Sequence, residues 1–184
     1  YAGRPGTIGT RAGNFAVQNS DFLLILGSRL NIRQVSYEWK SFAREAYKIW
    51  VDVDKCELQK PTVRPDLPVH ADLRDFLREL HLANSAPNLK SHSKWVSWCK
   101  TRVEKYPVVL ADYSSSKLVN PYVFVDSLTK QLSPGDIVVT GDGSACVVTF
   151  QAATVKNNQR LYTNGGCAAM GYDLPAAIGA ALAA

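Results

Sequence analysis

The sequence predicts an α/β fold, with parallel sheets flanked by helices. Apolar runs of strand length, Phe22 to Leu26 and Ile137 to Thr140 among them, end in glycine-bearing turns. Stretches with helical periodicity separate these runs, and strands alternating with helices build parallel sheets. The composition is that of an ordinary globular chain: 184 residues, 46% hydrophobic and 20% charged. Such a chain buries a sizeable core without staples.

Tyr1 to Arg11 is rich in glycine and small residues and reads as a loop, followed by a short helix from Ala12 to Asn19. Phe22 to Leu26 is a continuous apolar run stopped by Gly27-Ser28-Arg29, the pattern of a central parallel strand buried on both faces. Ser41 to Tyr47 is expected to be helical. Lys48 to Val53 is a second strand, closing at Asp52-Val53-Asp54, and Val69 to Asp72 a short edge strand. Leu73, Phe76, Leu77 and Leu80 fall on one face of a helix reaching Leu82, with Asp72 placed to cap it.

Regularity then drops. Asn84 to Ser93 is polar, as expected of a linker; Trp95 to Tyr106 is helical; Ala111 to Pro121 is a polar loop. Pro121 to Leu132 is a helix, Ser133 to Asp136 a turn, and Ile137 to Thr140 a buried strand ending in Gly141-Asp142-Gly143-Ser144. A short strand from Arg160 to Thr163 leads to the Gly165-Gly166 turn. A small-residue helix follows from Leu174 to Ala184, with Asp173 as its cap and Pro175 in its first turn. The chain divides into residues 1–83, a linker region 84–120, and residues 121–184.

Net charge is +5, and its densest group is Lys90, Lys94, Lys100, Arg102 and Lys105. No aromatic-basic platform or nucleic-acid motif accompanies this group, so it reads as a solvated helix face and no nucleic-acid partner is expected. Cys56, Cys99, Cys146 and Cys167 are scattered without a CxxC pair, as thiols are in a reducing compartment, and the expected location is cytoplasmic. No apolar run approaches the roughly 18 residues of a membrane span. There is no signal peptide or initiator Met, and the last alanines sit inside a helical pattern, so both ends are expected to be cut from a longer protein.

Three glycine-bearing strand ends attract chemistry: Gly27-Ser28-Arg29, Gly141-Asp142-Gly143-Ser144 and Gly165-Gly166. Open α/β sheets bind ligands beyond the carboxyl ends of strands, and a helix N-terminus there suits a diphosphate; the alternative is a plain turn. GxGxxG, GxxxxGK[ST] and GxSxG are all absent. Asp52 and Asp54 either accept from ribose hydroxyls or cap the segment after their strand. His70, His81 and His92 recur at equal spacing, but Pro87 breaks any common helix and no carboxylate completes a set, so no metal site is assigned. Trp95 and Trp98 read as a packed face.

The string GGCAAMGYDLPAAIGAAL at Gly165 to Leu182 resembles the start of the diphosphate-binding domain in thiamine-diphosphate-dependent 2-keto-acid enzymes, in particular the acetolactate synthase and pyruvate oxidase branch. GTRAGNFAVQNSDFLLILGSR, ending at Arg29, resembles the later half of that family's central domain, and Asp52-Val53-Asp54 matches its Asp-x-Asp. On this resemblance residues 1–83 are the later half of a central nucleotide-binding-like domain. Residues 121–184 then open the thiamine-diphosphate-binding domain.

The resemblance implies roles position by position. Met170 matches the apolar wedge that folds the cofactor, and an unbranched side chain suits that gap. The Ala168 carbonyl matches the acceptor for the cofactor's 4′-amino group, although the family usually has Gly there; Asp173 replaces another Gly. Gly143, Ser144 and Ala145 match the diphosphate loop, with Ser-Ala where acetolactate synthases usually have Gln-His. Gly141-Asp142-Gly143 imitates the family's Mg²⁺ motif but lies before the MGYDLPAAIGA segment, so it is the earlier diphosphate loop. The Mg²⁺ ligands and the catalytic Glu are then expected outside these residues, leaving no catalytic residue in this segment.

Gly27, Ser28 and Arg29, with Asp52 and Asp54, would line a site for FAD or ADP. Arg29-Leu30-Asn31-Ile32-Arg33 departs there from the usual Arg-Phe-Asp-Asp-Arg. The implied reaction is attack of the thiamine ylide on a small-molecule 2-keto acid, loss of CO₂ and transfer to an acceptor. A homo-dimer or tetramer is implied for the parent, and the segment alone is expected to be inactive. The rival expectation is a non-catalytic module holding FAD, NAD or ADP.

Overall fold

The computed structural model describes residues 1–83, 91–115 and 117–184. Two compact units divide the chain: residues 1–7 with 11–105, and residues 8–10 with 106–184. Most of the polar stretch read as a linker (residues 84–90, including Pro87 and Lys90) lies outside the described residues, as does Ser116.

In the first unit, α1 (Arg11–Gln18) leads to β1 (Phe22–Leu26), then α2 (Ile32–Val35), β2 (Tyr47–Asp52), α3 (Lys55–Gln59), β3 (Leu67–His70), α4 (Leu73–Ala83) and α5 (Ser93–Lys105). The strands form a parallel sheet in the order β1-β2-β3, with Phe22 opposite Tyr47, Leu26 opposite Val51, and Asp52 opposite His70. The expectation that Phe22 to Leu26 is central is corrected. Among the described residues β1 is an edge strand, with Phe22 half exposed, and β2 is the middle one. Trp50 and Val51 of β2 are fully buried, because both faces of the middle strand are covered. Ile25, Leu30, Val35, Phe42, Ala46, Leu58 and Val63 close the core around Trp50.

A second correction concerns Ser41 to Tyr47, which is not a helix. A single 3-10 turn, Trp39–Ser41, is followed by turns that feed directly into β2. Ala43 there is fully buried in a left-handed conformation (φ 43°), so packing against the core overrides its helical propensity. The cap predicted for α4 is present, since Asp72 Oδ1 accepts from the Arg74 N–H at 2.8 Å. On α5 the rings of Trp95 and Trp98 stack at 5.0 Å, and the Arg102 guanidinium lies 4.8 Å from the Trp98 ring.

In the second unit, α6 (Pro121–Gln131), capped by Asn120, precedes β4 (Ile137–Thr140), α7 (Ser144–Ala152), β5 (Arg160–Thr163) and α8 (Asp173–Ala183). β4 and β5 pair in parallel, Ile137 opposite Arg160 and Thr140 opposite Thr163. Val125, Val148 and Ala152 form the buried cluster between α6 and α7. Hydrogen bonds add to it: Tyr122 OH donates to Gln151 Oε1 at 2.8 Å, and Thr129 Oγ1 accepts from the Thr154 N–H. Asp173 is not the cap of α8. It is the first helical residue, and Tyr172 occupies the cap position without a side-chain bond. α2, α3 and α7 are helices that sequence periodicity did not signal, because each is short or, in α7, apolar on nearly every side.

Candidate functional site

A parallel sheet brings all its carboxyl ends to one edge. In the first unit these ends carry Gly27-Ser28-Arg29 after β1 and Asp52-Val53-Asp54 after β2. The Gly27 N–H donates to the Val51 carbonyl at 2.9 Å, and φ of 55° favours glycine. A Cβ there would meet Leu73 Cδ1 at 2.7 Å, so the space beside this glycine is filled by the protein itself.

Each polar side chain at this edge has an internal partner. Ser28 Oγ donates to Gln34 Oε1 at 3.1 Å. Arg29, 76% exposed, donates through Nε to Glu57 Oε1 at 2.8 Å. Lys60 Nζ bonds Glu57 Oε2 at 2.8 Å and also the Arg29 carbonyl. Asp52 Oδ1 accepts from the Asp54 N–H, and Asp54 Oδ1 accepts from the Cys56 N–H, capping α3. The Lys60 hydrogen bond and the Arg29 guanidinium hold the Glu57 carboxyl below its ordinary value, against a smaller opposing effect of burial. Sequence reasoning missed Glu57 and Lys60 as part of this edge. Their i, i+3 spacing was the available signal.

In the second unit the edge holds Gly141-Asp142-Gly143 after β4 and the Gly165–Gly171 turn after β5. The two loops leave from paired residues, Thr140 and Thr163. Cys146 Sγ lies 3.2 Å from Thr163 Oγ1, tying the first turn of α7 to the end of β5. Gly143 is the cap residue of α7 at φ 77°, with no side-chain cap bond and nothing within 4 Å of where a Cβ would sit. The first intrahelical bond runs from Val147 N–H to the Gly143 carbonyl. The N–H groups of Ser144 and Ala145 precede it and have no acceptor among the described residues.

Ala168 takes a left-handed φ of 53°, a strain of about 1 kcal/mol or more for a residue with a Cβ. Its N–H donates to the Asn164 carbonyl at 2.8 Å. Met170 is 92% exposed. Thus the carboxyl edge of β4 and β5 gathers the loop of Gly143, Ser144 and Ala145 and the turn carrying Ala168 and Met170. Gly27, Ser28, Arg29, Asp52 and Asp54 belong to the other unit's edge.

Two carboxylates stand at the second edge: Asp142, within the strand-end motif the sequence singles out, and Asp173, which the sequence marks only as a helix cap. Asp142 Oδ2 is buried with no hydrogen-bond partner among the described residues, and the Asp173 carboxyl packs on Gly141, where a Cβ would fall 2.8 Å from its Cγ. The edge therefore offers an anion free N–H donors and a helix N-terminus. Its buried carboxylate oxygen lacks a donor or cation. A diphosphate answers the open N–H donors at the start of α7, so Gly143, Ser144 and Ala145 fit that group. Among the described residues no cluster of three or more His, Cys, Asp or Glu side chains could itself hold a metal ion. His70 instead bonds the Val53 carbonyl at 2.9 Å. All four cysteines are unpaired. Among the described residues no helix is long and apolar enough to cross a membrane.

Residues 1–80 match the family pattern described as "Thiamine pyrophosphate enzyme, central domain", and residues 141–184 match "Thiamine pyrophosphate enzyme, C-terminal TPP binding domain". The chain is 32% identical over 187 residues to the "Probable acetolactate synthase large subunit" of Methanocaldococcus jannaschii, an alignment covering 98% of the chain and 31% of that relative. It is 30% identical over 182 residues to the "Acetolactate synthase large subunit" of Corynebacterium glutamicum, covering 98% of the chain and 29% of the relative. It is 31% identical over 181 residues to the protein of the same name in Lactococcus lactis subsp. lactis, covering 98% and 30%. The chain thus spans less than a third of the length of these relatives.

Proposed function

Because the chain belongs to the thiamine pyrophosphate enzyme family, we propose that its second unit holds the diphosphate end of thiamine diphosphate for chemistry on a small-molecule 2-keto acid of the acetolactate synthase type. The observation that carries this reading is the α7 N-terminus: a glycine cap with open space around it and two N–H groups without acceptors. When bound, thiamine diphosphate supplies an electron sink for breaking or forming a bond beside a carbonyl carbon. Ser144 and Ala145 N–H donate to phosphate oxygens, and Gly143 permits the close approach. The Ala168 carbonyl would accept from the cofactor's 4′-amino group, and Met170 would be the wedge against which the cofactor folds.

No side chain among these residues is assigned the proton transfers, and the 184-residue chain by itself is expected not to turn over pyruvate. The first unit's edge gives less support for FAD or ADP, since its side chains already hold one another. Assembly as a homo-dimer or tetramer belongs to the same reading.

Calorimetric titration of the chain with thiamine diphosphate and Mg²⁺ tests the placement. Binding is expected, with a rise in melting temperature. Gly143→Val is expected to weaken it roughly tenfold or more, the loss of one or two charge-assisted hydrogen bonds. Thiamine without its diphosphate should bind weakly. A folded chain that ignores millimolar thiamine diphosphate, or a Gly143→Val variant that binds as well as the parent, sinks the reading.

A further inference from the structure

We propose that the first unit carries a separate anion site at the amino-terminal end of its sheet, opposite the Gly27 and Asp54 strand ends, and that it takes a di- or triphosphate group. The 3-10 turn before β2, the first residues of β2 and the segment before β3 enclose a cavity of about 470 Å³. That is the size of an ordinary small-molecule site. Lys40, Arg44, Lys48 and Arg64 line it, together with the flat ring of Trp39, and no carboxylate is among its lining residues.

The four cations are not equivalent. Lys48 Nζ is held by the Ala46 carbonyl at 2.7 Å and by the Ala43 carbonyl, and stands 3.7 Å from Asp66. The Asp66 carboxylate also accepts from the Lys48 N–H at 2.7 Å, so it is held by Lys48 at both backbone and side chain. Among the described residues Arg44 meets only Glu45, at 3.6 Å and with both side chains exposed, a pair worth little in water. Lys40 and Arg64 have no ion-pair partner among the described residues.

Thr62 adds an independent feature. Its hydroxyl oxygen is buried with no hydrogen-bond partner among the described residues, and the residue lines the same cavity. A buried hydroxyl without a partner costs stability, which an acceptor reached by a rotation of the Thr62 side chain into the cavity would recover. Free guanidinium and ammonium groups beside an unsatisfied hydroxyl describe a receptor for phosphate oxygens. Trp39 offers a face for a base if the phosphates belong to a nucleotide. This inference is independent of the thiamine diphosphate reading, which concerns the other unit.

The test is calorimetric titration of the 184-residue chain, at low ionic strength, with sodium tripolyphosphate and separately with ATP. Both are expected to bind, and added salt should weaken both. Lys40→Glu combined with Arg64→Glu should lower affinity at least roughly tenfold, and Thr62→Val about threefold. Arg78→Gln, on α4 and outside the cavity lining, should leave it within about twofold. Lys40→Gln with Arg64→Gln is the milder pair, and circular dichroism checks that each variant is folded. ATP binding more tightly than tripolyphosphate, with the advantage lost in Trp39→Ala, identifies a nucleotide; equal affinities identify the phosphate chain alone. If neither anion binds the folded chain, or if both double variants bind as the parent does, the proposal is overturned.

Discussion

The two units place glycine-bearing loops at the carboxyl ends of parallel strands and complete them differently. After β1 and β2, Ser28 has Gln34, Arg29 has Glu57, Glu57 also has Lys60, and Asp54 caps α3. Leu73 fills the space beside Gly27. After β4, Gly143 has open space, α7 has no side-chain cap, and Asp142 keeps a buried oxygen without a partner. A glycine at a strand end is therefore not by itself a binding loop. What separates the two cases is whether the surrounding chain already satisfies the loop's donors and acceptors. The packing differs in the same sense. The first unit closes around a fully buried tryptophan, whereas the second has a small cluster of Val125, Val148 and Ala152.

The largest expected effect tests the packing difference. Trp50→Ala should destabilise the first unit by about 3–5 kcal/mol, and Val148→Ala the second by about 2 kcal/mol. Urea unfolding followed by circular dichroism measures both, and equal losses would erase the contrast. Trp50→Phe refines it. The Trp50 indole N–H is buried without a partner among the described residues, so deleting it removes an unsatisfied donor along with part of the ring. A loss of only about 1 kcal/mol is expected.

A middle-sized effect tests the self-satisfied edge. Asp54→Ala removes the cap of α3 and should cost about 1 kcal/mol of stability without altering thiamine diphosphate affinity. A change in that affinity would mean that the two edges do not have separate roles.

The smallest effect is a pH dependence. The carboxyl of Glu57 is held below its ordinary value of 4.5 by the Lys60 hydrogen bond, with Arg29 adding to it. Its contribution is present above that ordinary value and is lost as pH falls through the lower folded value. The stability gap between the parent and Glu57→Gln should therefore be constant at neutral pH and shrink below about pH 4.5. A gap that widens on acidification would contradict the Lys60-Glu57-Arg29 arrangement.

Several elements were legible residue by residue. Phe22 to Leu26 and Ile137 to Thr140 are strands with the bounds their apolar runs predicted, Arg160 to Thr163 is the short strand expected there, and Asp72 caps α4 as its position before Leu73 indicated. The family was legible in GGCAAMGYDLPAAIGAAL, where glycines and small residues occur in an order that composition alone would not produce. Other readings failed for identifiable reasons. A continuous apolar run does not say whether a strand is central, so β2 holds the middle place expected of β1. Ser41 to Tyr47 has helix-compatible residues, but Ala43 is locked into a left-handed turn by the core. Asp173 stands where a cap would, yet its carboxyl packs on Gly141, 32 residues earlier.

By itself the sequence determined the alternation of strands and helices, the glycine turns at the strand ends and the family, because these rest on local periodicity and on motifs of adjacent residues. Only the tertiary structure decided which strand lies in the middle, which strand-end groups are already satisfied and which remain open. Those outcomes depend on partners distant in the chain. Arg29 meets Glu57 28 residues on, and Lys48 and Arg64 line one cavity because parallel pairing starts β2 and β3 at the same end of the sheet.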